Sequence, residues 1–176
     1  MLSEKIPIAS IARVVGVSER RLQTYADNRY ESLEKQAVAE EKGSMTIPCD
    51  EMCFFADSEK DNYRIWPATD ADTRRIVGTH IGDRGEKGAG SLWNSLSPAY
   101  RQYAVIYTYF WKSYESVLPS ERHKAVPKSS GKTSYIERLN NTVRQRVSRL
   151  VRKTLSFLKK PENHTGVTWL FIHHYN

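Results

Sequence analysis

The chain is expected to fold as a mixed α/β domain preceded by a small helix-turn-helix, and three features of the sequence lead there. Apolar runs at 46–55, 63–69 and 75–81, separated by short polar turns, read as strands of an antiparallel meander. A further apolar run, 104–109, returns after a crossover long enough for parallel pairing. From Ser134 onward, Ile136, Leu139, Val143, Val147, Leu150, Val151 and Leu158 recur at helical spacing, as one apolar face of a long basic helix.

The helix-turn-helix rests on the string Ile11 to Leu22. Small Ala12 lets two helices approach, Gly16 permits a turn of positive φ, Val17 fills the corner and Ser18 caps the second helix. Arg20, Gln23 and Thr24 are then expected to face outward, where they could reach phosphates or base edges of DNA. A plain helical hairpin packed on another part of the protein is the alternative. The pair is assigned to residues 1–30, a charged linker to 31–44 and the main domain to 45–176.

Within that domain, Asp57 to Asn62 and Asp70 to Thr73 are the turns between the first three strands. A helix is expected over about Gly88 to Leu96, with Pro98 after it. In the long helix Arg138, Gln145, Arg149 and Arg152 lie opposite the apolar face, and Pro161 ends it. The tail carrying Val167, Trp169, Leu170, Phe171 and Ile172 is apolar enough to pack back as a final helix.

Charge narrows the partners. Lys and Arg outnumber Asp and Glu by 27 to 20, a net +7. Much of the excess falls between Arg138 and Lys160, which suits a polyanion such as nucleic acid, the alternative being a solvated helix face. No run of 18 apolar residues occurs and no apolar signal core opens the chain, so a cytoplasmic protein is expected. Cys49 and Cys53 lack a second pair to complete a zinc cluster and read as reduced thiols. Gly131-Lys132-Thr133 ends like a phosphate loop, but Val126 stands where the first glycine is required. His123, His164, His173 and His174 show no ligand spacing and read as surface or packing residues.

Two acids stand out. Asp50 sits in the apolar run Cys49-Asp50-Glu51-Met52-Cys53, where an unpaired carboxylate would cost several kcal/mol to bury, so it needs a metal, a basic partner or strong hydrogen bonds. Glu137 has two readings. Ser134-x-x-Glu137 is a capping box, in which Glu137 bonds back to the Ser134 amide. Alternatively Glu137, Asn141 and Arg144 form one row along the helix, presenting an acid and a phosphate-binding cation to a shared groove.

From Asp50 onward these residues become recognisable. Asp50-Glu51-Met52, the run Arg75 to Arg84, Thr108-Tyr109-Phe110-Trp111, Lys132 to Arg138 and Arg144 to Phe157 together resemble the bacterial insertion-sequence-one family of DDE transposases. The last two blocks are the most specific, and the helix-turn-helix resembles the family's DNA-reading region. The resemblance implies an RNase H-like sheet with flanking helices. It also implies cleavage and joining of insertion-element ends to target DNA, Mg²⁺ or Mn²⁺ held by an acidic triad, and a homo-oligomer on DNA in the bacterial nucleoid. Carried onto this chain, the triad is Asp50, the residue at 109 and Glu137. Asp50 and Glu137 would be metal ligands, with Arg20, Gln23, Thr24, Arg138, Asn141, Arg144, Arg149 and Arg152 on DNA.

The chain departs from that pattern in three places. Tyr109 stands where the family has Asp, and a phenol cannot replace a bridging carboxylate at neutral pH. Cys53 replaces an aromatic residue, and the cysteine-rich zinc segment expected upstream is missing, so the resemblance suggests an N-terminally truncated copy. Three functions stay open: a transposase with impaired cleavage, a non-catalytic DNA-binding protein that competes with or modulates an intact one, and a metal-dependent nuclease.

Overall fold

The computed structural model describes residue 2 and residues 6–37, 45–55, 62–82, 84–147 and 161–176. Two helices open it, α1 (Ile8–Val15) and α2 (Glu19–Glu31). Gly16 turns between them at φ 75°, and its amide and that of Val17 both bond the Ala12 carbonyl at 2.9 and 3.0 Å. The Ser18 hydroxyl accepts from the Arg21 amide at 3.3 Å, capping α2. Ala12 and Ile11 are buried, as the small-residue contact requires.

The first expected strand is divided. β1 (Thr46–Pro48) and β2 (Met52–Phe55) flank a break at Asp50 and Glu51, residues with poor strand propensity. β3 (Asn62–Thr69) and β4 (Ile76–Gly82) complete the antiparallel meander with β2. The β3–β4 turn is closed by buried Asp70, which accepts from the amides of Asp72 and Thr73 at 2.9 and 2.8 Å and from the Tyr100 hydroxyl at 3.2 Å.

α3 (Glu86–Ser95) begins two residues earlier than expected. Pro98 does more than follow a helix. It occupies the first turn of α4 (Pro98–Tyr103), where its missing N–H costs nothing, and Ser97 caps that helix. Then come β5 (Val105–Thr108), the short α5 (Lys112–Glu115) and β6 (His123–Ala125). β5 pairs in parallel with both β1 and β6. Cys49 donates its amide to Tyr107 at 2.8 Å and bridges Ala68 of β3, so the 46–55 segment joins the two sheets. The strand order across them is β6, β5, β1 with β2, β3, β4.

The long basic helix is shorter than its periodicity suggests. α6 (Ser134–Arg146) ends where Val147 turns extended, at φ −85° and ψ 92°. Val147 is β-branched and keeps its side chain in the core from that conformation. Leu150, Val151, Leu158, Arg149 and Arg152 lie outside the described residues, as does half of the expected linker, 38–44. Pro161 starts α7 (Pro161–Tyr175), in which Val167, Trp169, Leu170, Phe171 and Ile172 are buried as expected for the tail.

Helices cover both faces of the sheet. Ile65 and Trp66 are neighbours on β3 and point oppositely, as do Ile76 and Val77 on β4, as the strand period of two dictates. One core gathers Ile65 and Ile76 with Ile136 and Leu139 of α6, Val167 and Leu170 of α7, and Ala26 and Tyr30 of α2. The other gathers Trp66 and Val77 with Leu92 of α3, Tyr100 of α4 and Tyr114 of α5. Through Tyr30, α2 is therefore part of the main domain's core. A Cβ added at Gly166 of α7 would lie 2.3 Å from the Tyr30 Cβ, so only glycine admits α2 at this distance. No helix among the described residues is long and apolar enough to cross a membrane.

Candidate active site

Two parallel neighbours, β1 and β5, end side by side, and a cleft opens beyond their carboxyl ends, the usual position for a ligand in an open α/β sheet. Asp50 follows β1, Tyr109 follows β5, and α6 lies across them with Glu137 in its first turn. Asp50, Glu51, Tyr109, Lys128, Glu137, Asn140, Asn141 and Arg144 line a cavity of about 340 Å³.

Each side chain is held by named partners. Asp50 accepts from the Asn140 amide at 2.9 Å, which supplies the strong hydrogen bond its setting demands. Tyr109 accepts from the Thr133 hydroxyl at 2.6 Å and donates its own proton to Glu137 Oε1. The capping box does not form. α6 starts at Ser134 with Thr133 as its cap residue and no side-chain cap bond, because Glu137 is drawn across to the phenol instead.

Burial sets the charge states. It pushes the Asp50 carboxyl upward, and the nearby charge of Glu137 adds to the shift. Burial and the Asp50 charge bring Glu51 up to about 7, against the pull of Arg64 and Arg84. Tyr109 is raised to about 12 by burial and by its bond to Glu137, so it stays a neutral donor at physiological pH. The chain's donor set therefore does not fit an acidic triad. Of the positions 50, 109 and 137 only two carry carboxylates, Glu51 being turned toward Tyr114, and the phenolic proton occupies a lone pair of Glu137. Among the described residues no group of three His, Cys, Asp or Glu could hold a metal ion.

Glu51 makes the pH dependence testable. A carboxyl raised to about 7 when folded binds more protons in the native state than in the unfolded one between about pH 4.5 and 7. Stability from this group is thus present at low pH and lost as pH rises through that window. Glu51→Gln, which keeps an acceptor for the Tyr114 hydroxyl, is expected to raise stability at pH 8 by about 1–2 kcal/mol after discounting for partial exposure. It should do little at pH 4.5. Urea denaturation at the two pH values checks this.

The structure thus brings Asp50, Tyr109, Glu137, Asn141 and Arg144 together and adds Glu51, Lys128 and Asn140. Glu51 was signalled by its place beside Asp50 in an apolar run. Lys128 and Asn140 carried no sequence signal. Arg138 is exposed and is not among the lining residues. On α2, Arg20 and Thr24 are exposed, with Ser18, Arg21, Tyr25 and Asn28 beside them around a shallow depression. Gln23 does not face outward as expected. It is half-buried and donates to Asp27 one turn on at 2.6 Å, a favourable i, i+4 pair. Cys49 is a buried thiol and Cys53 is half-buried, His164 is buried, and His123 shares a 2.7 Å hydrogen bond with Thr108.

Fold and cleft define the class: an α/β domain whose cleft mixes carboxylates with cations at the carboxyl ends of its parallel strands. Residues 45–176 match the family model for IS1 transposase, and the chain belongs to that transposase family. It is 32% identical to the insertion element IS1 2 protein InsB of Escherichia coli (strain K12), over 83% of this chain and 89% of that one. The insertion element iso-IS1n protein InsB of Shigella dysenteriae is 30% identical over 73% of this chain and 95% of its own. The IS1 9 protein InsB of Escherichia coli (strain K12) is 33% identical over 76% and 80%.

Proposed function

We propose that this transposase binds insertion-element ends and target DNA but cleaves them poorly, because Tyr109 stands where a metal-binding carboxylate is required. The observation that carries the reading is the Tyr109–Glu137 hydrogen bond inside the cleft. The strand order, with a parallel pair at its centre and a meander beyond it, supports an RNase H-like domain of the DDE type. Asp50 and Glu137 then descend from the acidic set. Lys128, Asn141 and Arg144 retain donors for phosphate oxygens, since none of them depends on a metal to bind an anion. α1 and α2 form the helix-turn-helix, presenting Arg20 and Thr24 to duplex DNA. Arg138, exposed on α6, adds a cation for the same partner, and Arg149 and Arg152, outside the described residues, are assigned to it on their charge alone.

A second reading rests on the same hydrogen bond. Without cleavage, a chain that still binds ends would compete with an intact transposase or join its oligomers on DNA. Binding to insertion-element duplex ends, titrated with salt, tests both. Wild-type affinity is expected to fall log-linearly with salt, and Arg20→Gln or Arg144→Gln should each lower the slope by about 1. A flat salt response would overturn DNA binding altogether. Joined products distinguish a transposase from a nuclease of the same fold.

A further inference from the structure

A second basic surface adjoins the cleft on its β5–β6 side. The segment 122–132 carries Arg122, Lys124, Lys128 and Lys132 and no acidic residue. Tyr107 and Tyr109 lie two positions apart, so they share one side of the chain at the end of β5. Lys124 is the register partner of Tyr107 on β6. Its ammonium and that of Lys132 both stand 6.0 Å from the Tyr107 ring centre, while the Lys128 ammonium stands 5.2 Å from that of Tyr109. All three lysines are exposed, and the rings beneath fix their stems while leaving the charges in solvent. The next residue, Phe110, carries a large apolar ring that is 68% exposed.

We infer that Lys124, Lys128, Lys132 and Phe110 hold a single DNA strand as it leaves the cleft. This rests on the DNA-binding reading above and adds a partner form to it. Successive ammonium groups over tyrosine rings match a run of phosphates, and an exposed ring one residue beyond cleft-lining Tyr109 offers a face on which an unpaired base can stack. A duplex keeps its bases paired inward and gains nothing from Phe110, which is why the single strand is the better fit.

The test uses the full chain and a thymidine homopolymer, which cannot form the duplex that α2 would read. With fluorescence anisotropy over a salt series, Lys124→Gln with Lys132→Gln should lower the salt slope by about 1.4, two single-strand phosphate contacts. Phe110→Ala should weaken homopolymer binding about tenfold. All three positions are exposed, so the variants should melt like wild type. An unchanged slope, or an equal or larger loss on duplex ends, overturns the inference while leaving end binding intact. A wild-type chain that binds neither homopolymer nor duplex overturns both readings.

Discussion

Tyr109→Asp is expected to raise divalent-cation-dependent nicking of insertion-element ends by about two to three orders of magnitude. The substitution acts twice. It removes the phenolic proton from Glu137, and it places an ionised carboxylate just past the end of β5, next to the end of β1 that carries Asp50. Neighbouring strands lie about 4.8 Å apart, close enough for two carboxylates to share a cation. Such a cation stabilises charge on the reacting oxygens by several kcal/mol, and each 1.36 kcal/mol is a factor of ten. Tyr109→Phe separates the two effects, because it frees Glu137 without adding a ligand and should leave cleavage near wild type. Gel assays of end-containing duplex with Mg²⁺ or Mn²⁺ read the result. Efficient cutting by wild type, unchanged in the Asp variant, would show that position 109 has no part in the chemistry.

Gly166→Ala should destabilise the protein by about 2 kcal/mol or more. In an ordinary helix interior the same change is stabilising by roughly 1 kcal/mol, since glycine gives up more backbone entropy than alanine. The sign reverses here because the added methyl would meet the Cβ and ring root of Tyr30, atoms close to a helix backbone that cannot swing aside. Relief requires α2 to lift from α7, which opens the contacts of Ala26 and Tyr30 with the core. The variant should therefore unfold at lower urea and show weaker binding to duplex ends, because the helix that carries Arg20 and Thr24 loses its mount. A stability gain would show that α2 does not rest on Gly166.

Much of the site could be read from residue order because its signals are local. Asp50 was conspicuous as a carboxylate in an apolar run, and Glu137, Asn141 and Arg144 by their common edge on one helix. The turn at Gly16 and the cap at Ser18 were equally legible, since both depend on a few adjacent residues. What failed was also local in origin. The capping box at Ser134 and the outward face of Gln23 are the choices a short peptide would favour, and each gave way to another partner, Tyr109 in one case and Asp27 in the other.

By itself the sequence determined the α/β class, the antiparallel meander and the parallel return of the strand at 105–108. Those follow from hydrophobic period, connector length and residue identity, which are properties of the chain read in line. Only the tertiary structure decided that Asn140 holds Asp50, that Lys128 lines the cleft, and that α2 is seated on α7 through a glycine. Each of those joins residues far apart in the chain, and their distance is set by how two helical layers pack on one sheet, a quantity that no local pattern encodes.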